Sequence, residues 1–157
     1  MAVDSTSMSD TLKEKQATAE RSIAALYATD RASQALGMRI TAVAPGECSV
    51  TMVVRGDMTN GHGTCHGGML FTLADSAFAF ACNSAGAATV AASASIDFLA
   101  AAREGDVLVA EARALWSGGR SGIYEITITN QQGLRVALFR GRSHRIGERP
   151  TQNQVHP

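Results

Sequence analysis

The chain has 157 residues, 45% of them apolar and 18% charged, with 14 Lys and Arg against 14 Asp and Glu. That describes one globular domain spanning 1–157 with no room for a second, and it excludes a disordered chain or one that holds nucleic acid by bulk positive charge. The neutrality is a cancellation, since residues 1–112 carry 7 bases and 12 acids while residues 113–157 carry 7 arginines and 2 acids. The forked guanidinium suits phosphate and carboxylate, so a local anion site is expected in the C-terminal third.

Residues 1–10 are small and polar and read as a loose end, as do residues 148–157. Leu12, Ile23, Leu26 and Tyr27 recur at loosely helical spacing between Asp10 and Tyr27, and a shorter helical piece runs from Asp30 to a stop at Gly37. The pattern then turns β-branched. Met38–Val43, a Pro45-Gly46 turn and Cys48–Val54 read as a hairpin, followed by a Gly, Asn and His loop over residues 56–66. From Gly67 to about Ser84 the chain is apolar on nearly every side, which predicts a helix buried all round. Four more strands are expected over Ala88–Phe98, Val107–Trp116, Ile123–Thr129 and Leu134–Ser143, joined by turns short enough for antiparallel pairing. An antiparallel sheet buries such a helix only by curling around it, and the 27 alanines let the two lie close. The fold class is therefore α+β, a curved antiparallel sheet around one long apolar helix with a peripheral N-terminal helix.

Cys48, Cys65 and Cys82 are odd in number and have no C-x-x-C spacing, so neither a disulfide framework nor a thiolate metal knuckle is indicated. No stretch reads as a signal peptide, and Gly67–Cys82 is too short and too interrupted to span a bilayer comfortably. These features point to a cytoplasmic protein without a membrane partner.

The densest polar cluster, Asn60-Gly-His62-Gly-Thr-Cys65-His66-Gly-Gly68, stands directly before the apolar helix. A Gly-rich helix entry presents free backbone N–H groups with the positive end of the helix dipole behind them, a place for an anion or a developing oxyanion. The competing reading is a tight turn and nothing more. Asp75 is the second feature, because a carboxylate within an apolar helix is costly unless it is paired or functional. Ser93, on a strand face with Ser95 and Asp97, is a candidate hydrogen-bond partner for it; a carboxylate satisfied by local hydroxyls or at a subunit interface is the competing reading. Gly67 and Asp75 are eight residues apart, a rise of roughly 12 Å, whereas a base works at about 3 Å from its proton or through one water. If the helix entry polarises a carbonyl and Asp75 activates the attacker, Asp75 must come from a second, antiparallel helix, as in a symmetric dimer. Weaker readings are a zinc site of His62, Cys65 and His66, which lacks a marked fourth ligand, and a Cys65–His66 thiol nucleophile, which lacks an orienting third group. Nothing supports nucleotide hydrolysis or dinucleotide binding. Among the C-terminal arginines, 113, 120, 135, 140, 142, 145 and 149, Arg120 stands in a Gly-Gly-Arg-Ser-Gly turn, and Arg140 and Arg142 share a strand face.

Several runs then carry a resemblance: Asn60 to Asp75 with its His-Gly-Gly, Ala81-Cys-Asn-Ser-Ala-Gly86, Ser95-Ile-Asp-Phe-Leu99, Gly105-Asp106, and Val136-Ala-Leu-Phe-Arg-Gly-Arg-Ser-His-Arg-Ile-Gly147. From about Tyr27 to Gly147 the chain resembles the hot-dog-fold acyl-CoA thioesterases of the phenylacetate-degradation type. The resemblance implies five or six antiparallel strands wrapped around the helix, assembly as a homotetrameric dimer of dimers, and hydrolysis of aromatic acyl-CoA, ring-hydroxylated phenylacetyl groups included. It implies no metal and no cofactor, coenzyme A being part of the substrate. It gives the Gly67 N–H to the thioester carbonyl, His66 and Asn60 to positioning the thioester or water, Asp75 of the facing subunit to the role of base or nucleophile, and Ser93 to holding the water or the carboxylate. Phosphates of coenzyme A are the expected partners of Arg120, Arg140 and Arg142. Where such thioesterases commonly carry Arg-Pro after Phe-Leu, this chain has Ala100-Ala101, so that arginine has no counterpart here. The competing functions are a hydratase or dehydratase of acyl thioesters, which changes double-bond absorbance without releasing thiol, and a non-catalytic acyl-CoA sensor, which binds without turnover.

Overall fold

Strict alternation of buried and half-buried residues over Ser121–Thr129 places Tyr124, Ile126 and Ile128 on one face of a strand, and that face turns toward the apolar helix. The computed structural model describes residues 5–148. In chain order these form α1 (Ser5–Tyr27), α2 (Arg31–Ala35), β1 (Arg39–Ala44), β2 (Glu47–Val53), α3 (Gly67–Cys82), β3 (Ala87–Phe98), β4 (Val107–Gly118), β5 (Ser121–Thr129) and β6 (Arg135–Glu148), with a single 3-10 turn at Gly56–Met58. The six strands make one sheet, ordered β1-β2-β4-β5-β6-β3 with every pairing antiparallel. Because β3 joins at the far edge, the chain must cross from β2 to β3, and α3 is that crossing.

The inner face of the sheet supplies Val50, Met52, Leu108, Ala110, Ile126, Ile128 and Phe139, all buried against Leu73, Ala74, Ala77, Phe78 and Phe80 of α3. Small residues set the spacing: a Cβ on Gly141 of β6 would lie 2.7 Å from the Phe78 ring, so only glycine lets that strand pass over it. Phe78 packs against Phe139 and Tyr124 with ring centroids 6.0 and 5.4 Å apart. Asn83 caps the end of α3 and ties it to β3, its Nδ2 donating to the carbonyls of Ala79 and Thr89 and its Oδ1 accepting from the Thr89 N–H. α1 lies over β1, with Gln16 Nε2 donating to the Val43 carbonyl and the Tyr27 hydroxyl to the Met38 carbonyl. No helix among the described residues is long and apolar enough to cross a membrane.

Three expectations need correction. The loose ends were drawn too wide. Residues 1–4 and 149–157, Arg149 among them, lie outside the described residues, but residues 5–10 belong to α1 and Glu148 ends β6, since extending an existing helix or strand costs far less than starting one. The strands also outrun their expected ends, β4 to Gly118 and β6 to Glu148. Finally, α3 is not covered all round in one chain. Gly68 is exposed and Thr72, Asp75 and Ala79 are half-buried, positions whose spacing places them along one stripe of the helix.

Candidate active site

The loop before α3 is fixed by its own hydrogen bonds. Asn60 Oδ1 accepts from the N–H groups of His62 and Thr64, and Asn60 Nδ2 donates to Thr64 Oγ1, a side chain standing in for the backbone of a turn. The Cys65 N–H donates to the Ala102 carbonyl and the His66 N–H to the Met58 carbonyl, so the loop is held against the β3–β4 connection and the 3-10 turn. His66 is the N-cap of α3. Its Nδ1 accepts from the Gly68 N–H at 2.9 Å, and its carbonyl accepts from the N–H groups of Met69 and Leu70. An imidazole used this way has Nδ1 unprotonated and its ring proton on Nε2. Of the first four amides of α3, only that of Gly67 has no acceptor among the described residues. It borders a groove of about 400 Å³ shared with Asn60, Leu70, Phe98 and Ala100–Ala102. The expected helix-entry site is thus one amide at the positive end of a helix, beside an apolar wall.

Phe98 forms that wall. A Cβ on Gly67 would approach the Phe98 ring to 2.9 Å, while the ring itself is 56% exposed. Sequence reasoning assigned Phe98 no role, because an aromatic residue in a strand signals core packing first. The Ala100-Ala101 pair stands at the mouth of the same groove, where short side chains leave it open.

Asp75 does not share this groove. It lines another of about 370 Å³ with Leu26, Phe78, Ala79, Val90 and Ile146, and no lining residue is common to the two. Its carboxylate makes no hydrogen bond or ion pair among the described residues. Burial first, and the nearby Asp30 carboxylate second, push its pKa above the ordinary carboxylate value. Asp30 is pinned in place: as N-cap of α2 it accepts from the Ser33 N–H and hydroxyl, and Ser33 Oγ meets Ser76 Oγ of α3 at 2.8 Å in the buried interior. The signal for this was present, an Asp three residues before a Ser at a helix start, but nothing local tied it to Asp75.

Ser93 is not brought to Asp75 within the chain. Ala91 pairs with the inward-facing Ser143, and plain alternation from there would keep Ser93 inward too. A bulge at Ala92 shifts the register, so Ser93 and Ser95 stand opposite Arg142 and Arg140 and line an outer depression with them. Arg140 lies 3.8 Å from Glu125, which Arg113 contacts at 2.8 Å, and Arg142 has no hydrogen-bonding or ionic partner among the described residues. Arg120 is separate from this pair; its Nε donates to the Arg145 carbonyl at the rim of a different groove. Of the zinc and thiol readings, little remains in the geometry. Among the described residues no three His, Cys, Asp or Glu gather in one place, and Cys65 is buried, its thiol pushed up by burial and then by Asp106.

The arrangement offers a donor for a developing oxyanion at one point of α3 and an unpaired, basic carboxylate at another. Known proteins resemble the chain as a whole. The thioesterase superfamily profile matches residues 62–137. The Escherichia coli acyl-coenzyme A thioesterase PaaI is 52% identical over 123 residues, which is 78% of this chain and 88% of that one. The solved structure of the E. coli PaaI protein from the phenylacetic acid degradation operon superposes with a TM-score of 0.84 at 49% identity, covering 85% of this chain and 96% of that one. A hypothetical thioesterase of Streptococcus pneumoniae solved with coenzyme A superposes at 0.69 with 30% identity, covering 71% and 88% of the two chains. On this identity, coverage and shared hot-dog architecture, the chain belongs to the thioesterase superfamily.

Proposed function

We propose that this thioesterase hydrolyses aromatic acyl-CoA thioesters of the phenylacetyl type, ring-hydroxylated ones included, at sites built from two chains. The observation that carries the reading is the pairing of a free Gly67 amide with an unpartnered, half-buried Asp75 on one helix, about 12 Å apart along its axis. The Gly67 N–H polarises the thioester carbonyl. Asp75 of the facing chain takes a proton from water as the water oxygen bonds to the carbonyl carbon, and the resulting oxyanion rests on the amide. Collapse breaks the C–S bond, and the departing sulfur takes up the proton held by Asp75, so coenzyme A leaves as the thiol and the base is restored. Direct attack by the carboxylate is the other route; single-turnover hydrolysis in isotope-labelled water separates them, since label enters Asp75 only if it attacks. His66 acts by holding the helix entry, and Asn60 by shaping the loop beside the thioester. This chemistry assigns both charge stabilisation and proton transfer to the protein's own groups and asks for no metal.

Strand β3 supports assembly from two chains. Its outer edge pairs with nothing among the described residues, and Val90 and Phe98 along it, with Leu99 just beyond, are 44%, 56% and 52% exposed. A long edge with a single charged residue, Asp97, is left open at the risk of aggregation unless another strand covers it. Antiparallel pairing of β3 with its copy sets two α3 helices side by side in opposite directions and carries each Asp75 toward the other chain's Gly67. Two such dimers form the proposed homotetramer. Arg140, which shares Glu125 with Arg113, and Arg142, which has no ionic partner among the described residues, stand together on the outer face and are the proposed contacts for coenzyme A phosphates. The three buried cysteines are unpaired, as expected of a cytoplasmic enzyme. The test is thiol release across an acyl-CoA panel. Turnover fastest with phenylacetyl and hydroxyphenylacetyl groups supports the reading, and no release from either removes it.

A further inference from the structure

Beyond the C-terminal end of α3 lies a groove of about 560 Å³ that the proposed chemistry does not use. Its floor is Tyr124 of β5. Only 7% of this residue is exposed, its ring packs on Phe78, and its hydroxyl has no hydrogen-bond partner among the described residues. No fully buried side-chain nitrogen or oxygen among the described residues lacks a hydrogen-bond partner, so this unpaired hydroxyl opens onto the groove, where a ligand's polar group can pair with it. Ser143 and Cys82 stand beside it, with Arg120 and Arg145 at the rim. The Asp75 groove adjoins this one: Thr89 lines both, and Phe78, which walls the Asp75 groove, carries Tyr124 on its ring.

We infer that this groove receives the far end of the acyl group and that the Tyr124 hydroxyl hydrogen-bonds an oxygen substituent on its aromatic ring, making Tyr124 a specificity-determining residue. The inference rests on the proposed thioester hydrolysis at Asp75. The dimensions agree: from carbonyl carbon to a para oxygen a phenylacetyl group spans roughly 6–7 Å, the base stands about 3 Å beyond the carbonyl, and Asp75 to Cys82 is a rise of roughly 10 Å along α3. The phenol both donates and accepts, so it pairs with a ring hydroxyl in either sense. A site that hydrogen-bonds a substrate hydroxyl discriminates against the analogue lacking it, because its own polar group is then left unpaired.

The test is Tyr124→Phe, which removes the hydroxyl and keeps the ring on Phe78, with the melting temperature checked against the unaltered protein. The unaltered protein should favour 4-hydroxyphenylacetyl-CoA over phenylacetyl-CoA in kcat/KM, and the variant should lower that ratio about five- to tenfold. A ratio unchanged by the substitution overturns the inference, as does an equal rise in KM for every acyl group, which would assign the groove to coenzyme A. Equilibrium binding of free 4-hydroxyphenylacetate and phenylacetate to both proteins reads the groove without turnover. Preference for the hydroxylated acid, lost in Tyr124→Phe, supports the inference even if no thioester is cleaved; absence of that preference overturns it. Failure of the hydrolysis reading appears separately, as no thiol release from either thioester.

Discussion

At the entry to α3, His66 occupies the Gly68, Met69 and Leu70 amides and Asn60 fastens the loop, so a single N–H is presented at Gly67; eight residues on, Asp75 sits half-buried with no hydrogen bond among the described residues. The first region is finished within one chain. The second keeps a charge where burial disfavours it, on the one stripe of the helix that the sheet leaves open. Perturbed groups of this kind gather at functional sites, and under the proposed function the entry would be the pre-set pole for a carbonyl and the stripe the surface that would meet another copy.

Removing the base breaks that contrast most directly. Asp75→Asn should lower kcat by about 10²- to 10⁴-fold, read as thiol release at saturating substrate; a rate near that of the unaltered protein takes Asp75 out of the chemistry. Gly67→Pro deletes the presented amide at a helix position where proline is otherwise at home and should cost about 10²- to 10³-fold in kcat. The exposed Phe98 ring must shift to admit the new side chain, so a circular-dichroism comparison belongs with the kinetics.

Most of the architecture was legible in the sequence because each element carries a local signature: alternation in β5, an unbroken apolar run in α3, glycine-rich turns between strands. The His-Gly-Gly entry and the lone Asp75 were legible for the same reason. Ser93 does share a face with Ser95, but that this is the outer face was not legible, because a bulge cannot be seen in a run of small residues where Ala91, Ala92 and Ala94 give no sign of which one is extra. The Asp30–Ser33–Ser76 chain and the unpaired Tyr124 hydroxyl were missed because they join residues 43 or more positions apart, or depend on what a side chain fails to meet. The open stripe of α3 was missed because sequence shows how apolar a helix is, and not whether its own chain supplies all the cover.

If the two points act across chains, two dead variants should rescue each other. Equal mixing of Asp75→Asn with Gly67→Pro, after dissociation and reassembly, makes half the dimers mixed. One of the two sites in each mixed dimer joins an intact Asp75 to an intact Gly67, so about a quarter of full activity should return. Activity staying at the level of the separate variants would place both groups in one chain's site.

Smaller effects sharpen the account of Asp75 itself. Its pKa is raised by burial and by Asp30, and a base works only when deprotonated, so kcat/KM should fall on the acid side at a pH above the ordinary aspartate value of about 3.9. Asp30→Asn removes a negative neighbour and should move that limb to lower pH. Ser33→Ala keeps the charge while loosening its tether, and a limb that moves equally in both variants would assign the effect to packing rather than to charge.

The smallest expected effect concerns stability. A carboxyl whose folded pKa lies above its unfolded value favours folding when protonated; that contribution is fully present below the unfolded pKa and is lost as pH rises through the folded one. At neutral pH the Asp75 charge is therefore a cost to the fold, and Asp75→Asn, which keeps the shape without the charge, should melt a few degrees higher while being nearly inactive. The advantage should shrink as pH is lowered toward the carboxylate range, where Asp75 is neutral as well. The free Gly67 amide predicts no such trade, since Gly67→Pro removes a donor without relieving a buried charge. A variant Asp75→Asn that melts at the same temperature or lower would mean that the facing chain satisfies the carboxylate by hydrogen bonds, and the open stripe of α3 would then be a structural joint rather than a catalytic one.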